Sequence, residues 1–212
     1  MIILPAAYLP PLTWWALVLR EENVGLEYQE TYPRQTFRNR CYIYSANGLL
    51  PLSLPVIKVF GNHTLTRDII LDYSKNWQQI HWRSIESAYS KTPYFLYYAD
   101  AFRSIYFKRF ELLTDLNLAF IRLCASLLSL EEKGFHPTSG YRALNDEIDY
   151  RVVLHPKKDS SLVGYSVFPR YMQAFEPKHG FLPNLSIIDL LFNHGKDALH
   201  QLALLNRANA KT

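Results

Sequence analysis

Three arginines and one histidine supply the residue types from which a reactive or binding site could be built. In Pro33-Arg34-Gln35-Thr36-Phe37-Arg38-Asn39-Arg40, alternate positions carry cationic or hydroxyl groups. Side chains of an extended segment alternate between faces, so Arg34, Thr36, Arg38 and Arg40 would share one side. Guanidiniums held that close repel one another unless an anion lies between them, and the planar fork of arginine matches phosphate or carboxylate. The pattern predicts an anion site, with Asn39 orienting a polar group where the strand twists or ends. A second reading stands beside it: a strand face whose arginines pair with Glu27 or Glu30.

His81 falls in a segment of helical period in which Trp77, His81, Ile85 and Ala88 share a face. An imidazole titrates near neutrality and suits general acid–base work, although a buried histidine held by one hydrogen bond is also common. Tyrosines such as Tyr8 are expected to wall the pocket. The other six histidines show no HxxxH or HxH spacing and no adjacent cysteine, so no metal site is expected. GxSxG, GxxxxGK[ST] and GxGxxG are all missing, and no cofactor is predicted.

These groups need elements to position them. Met1 to Pro5 reads as a buried strand, Leu12 to Arg20 as a helix and Val24 to Gln29 as a second strand, the order of a parallel βαβ unit. Thr36 to Val59 reads as the clearest β region. It turns back at Asn47-Gly48, which tolerates positive φ, and the return strand runs from Leu49 to Val56. Ile69 to Leu71 adds a strand. Helices follow at Trp77 to Tyr89, Asp100 to Phe110 and Leu112 to Leu130, and Glu131 to Tyr141 reads as a loop. Strands are predicted at Tyr150 to His155 and around Val163 to Phe168. Ser186 is expected to cap a helix that Gly195 ends, with Asp189 complementing its dipole, and Asp197 to Arg207 forms the last helix. The fold class is α/β, a mixed sheet with an antiparallel hairpin and helices packed on it; α+β is the alternative. No internal repeat divides residues 1–212, which are read as a single domain.

Composition narrows the partners. A net charge of +4 without a dense basic stripe favours a small anionic substrate over nucleic acid. Prolines 5, 10 and 11 break the apolar N-terminal run, so neither a secretory signal nor a membrane span is expected, and the cytoplasm is the expected compartment. Cys41 and Cys124 lack metal or redox spacing and are expected as reduced, buried thiols. The oligomeric state is not legible.

The strings Ala7-Tyr8-Leu9-Pro10-Pro11, Arg34 to Arg40 and Leu52-Ser53-Leu54-Pro55-Val56 resemble the WbqC-like family of bacterial proteins. So do Trp77 with His81-Trp82, Tyr89, Pro93-Tyr94-Phe95 and the run Asn184 to Asn193. The family is associated with O-antigen gene clusters, a setting with which an enzyme modifying an activated sugar would agree, although the resemblance implies no established activity or catalytic residues. This sequence departs from the family where His-Gln-Pro would precede Tyr-Leu-Pro: Leu4, Pro5 and Ala6 stand there. Two functions follow. One is a transferase in surface-polysaccharide biosynthesis in which Arg38 and Arg40 hold an anion and His81 moves a proton. The other is a non-catalytic binding or scaffold protein. A hollow where Arg38, Arg40 and His81 converge would favour the first; arginines lying on carboxylates, with His81 sealed inside, would favour the second.

Overall fold

The computed structural model describes residues 1–141 and 148–210. The apolar run Ile2–Pro5 forms β1, and Leu12–Leu19 forms α1, of which every residue but the last is buried. Asn23–Glu27 is β2 and pairs parallel with β1, with Leu4 opposite Leu26 and Pro5 opposite Glu27, so the expected βαβ unit is present. Arg40–Ser45 (β3) and Gly48–Ser53 (β4) form an antiparallel hairpin, closed at Ser45 opposite Gly48. The positive φ of its turn falls on Gly48 alone, at 94°. Val56–Lys58 (β5) and Ile69–Leu71 (β6) form a second antiparallel pair.

Three amphipathic helices come next: α2 at Trp77–Tyr89, α3 at Phe95–Phe107 and α4 at Leu113–Leu127. Gly134–Pro137 is β7, parallel to β2 on the side away from β1. The remaining helices are the single turns α5 (Tyr150–Val153) and α6 (Glu176–His179), then α7 (Ile187–His194) and α8 (Ala198–Ala208). One continuous apolar cluster runs from Leu4 to Leu205, and rings from three helices meet in it: Tyr106 and Phe120 lie 5.0 Å apart, Phe102 and Phe192 5.4 Å. Cys41 and Cys124 are buried and free. Among the described residues no helix is long and apolar enough to cross a membrane.

The α/β class holds, but several local expectations give way. Residues 34–39 are bends and turns, with Gln35 at φ 57°, so the strand begins only at Arg40. The hairpin is a separate ladder from the parallel sheet. Glu131 to Tyr141 contains β7, too short and polar to be read without the partner strand that pairs it. Tyr150 to His155 opens with a helical turn because the Asp149 carboxylate accepts the Arg151 N–H at 3.0 Å, and Val163 to Phe168 forms no strand. Ser186 does precede α7, yet its hydroxyl donates to the Leu9 carbonyl at 2.8 Å instead of capping the helix.

All three strands of the parallel sheet end on the same side, at Pro5, Glu27 and Pro137. In open α/β sheets ligands bind just beyond the carboxyl ends of the strands, because the loops that can be varied converge there.

Candidate active site

The segment leaving β2, Tyr28 to Asn39, is fixed by backbone hydrogen bonds to its neighbours. Tyr32 N–H donates to Thr64 O at 2.9 Å, Thr66 N–H to Glu30 O at 2.9 Å, and Tyr8 N–H to Phe37 O at 2.8 Å. Asn117, fully buried on α4, donates from its side-chain amide to Ala6 O at 2.8 Å and to Arg38 O at 2.7 Å. One side chain thus ties together the loops that leave β1 and β2.

Beyond these strand ends lies a hollow of about 540 Å³. Thr36, Arg38, Arg151 and the largely covered Glu30 form its floor. Arg34, Lys158, Thr31 and Tyr141 stand exposed around its mouth, and Gln29 and His155 lie between.

The floor is an ion-pair network. Arg38, 1% exposed, presents both edges of its fork to Glu30: Nε donates to Oε1, and an Nη donates to Oε2 at 2.7 Å. The same Nη also reaches Arg151 O at 3.0 Å. Arg151 donates to Glu27 at 2.9 Å and to both oxygens of Asp149 at 2.7 Å, and its guanidinium lies 4.4 Å from the Tyr141 ring centre. Guanidiniums this buried persist because each is hydrogen-bonded to carboxylate. Burial pushes Glu30 above the usual carboxylate range despite the pull of Arg38. Asp149 is pushed up by burial as well, but the hydrogen bonds from Arg151 outweigh this and leave it below that range. Burial lowers His155, and Lys158, Lys157 and Arg38 lower it further. Its Nδ1 accepts the Lys157 N–H at 3.1 Å, so the neutral ring carries its proton on Nε2.

His81 lies elsewhere. It lines a second hollow of about 320 Å³ with Ser53, Leu54, Pro55, Lys75, Trp77 and Ile80. The ring is 5% exposed, and burial pushes its pKa down to about 4 against a hydrogen bond to the Ser53 backbone. Its Nδ1 lies 3.0 Å from the hydroxyl of Tyr8, which lies 2.5 Å from that of Tyr106. Tyr8 is fully buried and walls neither hollow.

The predicted residues therefore separate. Arg34 and Arg38 share the larger hollow. Arg40 donates to the Ser53 hydroxyl at 2.8 Å, which puts it beside the hollow of His81. Asn39 donates to Leu54 O at 3.0 Å and joins the hairpin to its flank. Arg38 lies on a carboxylate, as the second reading of the arginine string expected for Glu30. Sequence reasoning passed over Arg151, His155 and Lys158, which stand more than a hundred residues from Arg38 in a segment read as strand and turn. Their one local signal was the Asp149-Tyr150-Arg151 turn. Among the described residues no three His, Cys, Asp or Glu side chains are grouped to hold a metal ion.

Comparisons with known proteins agree with the resemblance of the sequence. A family model described as the WbqC-like protein family matches residues 6–158 and 156–201. An uncharacterized protein of Mycobacterium tuberculosis, Rv1507c, is 25% identical over 224 residues, covering 92% of this chain and 94% of its own length. No solved structure matches.

Proposed function

The chain belongs to the WbqC-like protein family, and from that premise we propose that it binds a small phosphate- or carboxylate-bearing molecule in the hollow beyond its parallel strands. One observation carries the reading: Arg34 and Lys158 stand at the mouth of a pocket at the sheet's carboxyl edge, and among the described residues neither is paired with a carboxylate. A volume of about 540 Å³ is the size of a small-molecule site. The finer form of the proposal is a cytoplasmic transferase acting on that molecule in surface-polysaccharide biosynthesis. Its support is the setting that the family resemblance implies. Within the larger hollow the imidazole positioned to exchange a proton is that of His155, because His81 lines the other one.

A non-catalytic binding role is the second reading. It is favoured by the pairing of Arg38 with Glu30 and by the enclosure of His81.

Thermal stabilisation by sugar phosphates, carboxylates and inorganic phosphate tests the binding step. Arg34→Ala and Lys158→Ala should each weaken binding by about three- to ten-fold at low salt, with smaller losses at high salt. His81→Gln should leave the affinity unchanged. Stabilisation that survives the loss of both mouth cations would remove this hollow from the account. No stabilisation by any small anion would leave the scaffold reading.

A further inference from the structure

The floor and mouth of the larger hollow carry opposite excess charge. Among the described residues, the two buried guanidiniums of Arg38 and Arg151 meet three carboxylates, Glu27, Glu30 and Asp149, so the floor has one more negative group than positive. Of the three, Glu30 faces the hollow. Its Oε1 accepts from Arg38 and, at 3.4 Å, from the Thr66 hydroxyl, whereas its Oε2 accepts from Arg38 alone. A carboxylate oxygen accepts two hydrogen bonds readily, so Oε2 has room for another donor. The mouth holds the cations Arg34 and Lys158, and Lys157 beside them donates to Gln35 at 2.9 Å.

Resting on the anion-binding reading above, we infer that the ligand is bifunctional: it brings a primary ammonium to Glu30 on the floor and a phosphate or carboxylate to Arg34 and Lys158 at the mouth. An ammonium suits the floor on two counts. It adds positive charge to a floor where, among the described residues, carboxylates outnumber guanidiniums. It also donates to the Glu30 Oε2, which faces the hollow and has room for a second donor. A neutral polyol phosphate would leave the charge imbalance in place, and a simple diamine would meet the like-charged mouth. The ligand class is thus an amino-sugar phosphate or another amine-bearing phosphate ester or acid.

Calorimetric titration with matched probes separates this inference from the reading it rests on. Glucosamine 6-phosphate is compared with glucose 6-phosphate, and phosphoethanolamine with ethyl phosphate, on the full chain at neutral pH. In at least one pair the amine-bearing probe should bind about ten-fold more tightly, the worth of a hydrogen bond between charged groups. That advantage should vanish in Glu30→Gln, and the Arg34→Ala, Lys158→Ala double variant should weaken both members of the pair alike. Equal binding within both pairs would overturn the inference and leave the anion site standing; no binding of any probe would remove both. If Glu30→Gln fails to fold, the parent chain's preference within each pair still decides.

Discussion

His81 and Asp189 are buried side chains that titrate in opposite senses over the same interval of pH. Burial holds the imidazole neutral, with a pKa of about 4, below the value of about 6.5 in an unfolded chain. As pH falls from 6.5 the unfolded state takes up the proton first, and stability is lost until about pH 4. Asp189 is fully buried and accepts from the hydroxyls of Tyr89 at 2.9 Å and Tyr171 at 2.8 Å, yet burial prevails and raises its pKa to about 6. Here the folded state takes up the proton first, so stability is gained as pH falls from 6 and is lost again as pH rises through 6. Each displacement corresponds to roughly 3 kcal/mol, and the two oppose. Urea unfolding between pH 7 and pH 4 should therefore show His81→Gln gaining on the parent chain as the solution is acidified and Asp189→Asn losing ground to it. Difference curves that stay flat for both variants would contradict this assignment. The sequence marked both residues as polar positions in apolar helices. It did not show that Tyr8 and Tyr106 would lie beside His81, or Tyr89 and Tyr171 beside Asp189.

At the level of elements, the N-terminus of α1 is completed from the far end of the chain. Pro11 precedes the helix and its ring carries no acceptor to cap it, and the N–H of Thr13 donates at 3.0 Å to the side-chain carbonyl of Asn184. Asn184 itself adopts φ 53°, a left-handed conformation that asparagine tolerates better than most residues. Replacement by alanine should cost about 2 kcal/mol, about 1 from the lost acceptor and about 1 from the backbone. Asn184→Gly should recover the backbone part and lose the rest. Equal losses in the two variants, measured by chemical denaturation, would show that the backbone conformation contributes nothing. The same region joins several of the strings that carry the family resemblance. Tyr8 meets His81, Leu9 accepts from Ser186, and Leu12 N–H donates to Leu185 O at 3.0 Å. Segments far apart in sequence interlock in space.

For the molecule as a whole, one apolar cluster among the described residues takes side chains from Leu4 to Leu205. We predict one cooperative unfolding transition, with tryptophan fluorescence and far-ultraviolet circular dichroism changing together. Two resolved transitions would divide the chain and refute the single domain. Much of this architecture was legible in the residues. Helical and strand periods located α2, α4 and the parallel β1–α1–β2 unit, because those patterns arise from the local geometry of the backbone. The arginine string could not be placed in that way. Its alternation implied a strand, but the hydrogen bonds of residues 28–39 to Thr64, Thr66, Arg67 and Tyr8 hold it as a turn, and Glu30 draws Arg38 inward. The sequence by itself determined which residues carry charge, which are apolar, and which family's strings they form. Tertiary structure alone decided that Arg38 would meet Arg151 and His155, and that His81 would line another hollow. Electrostatic attraction and burial depend on distance through space, and separation along the chain does not contain that distance.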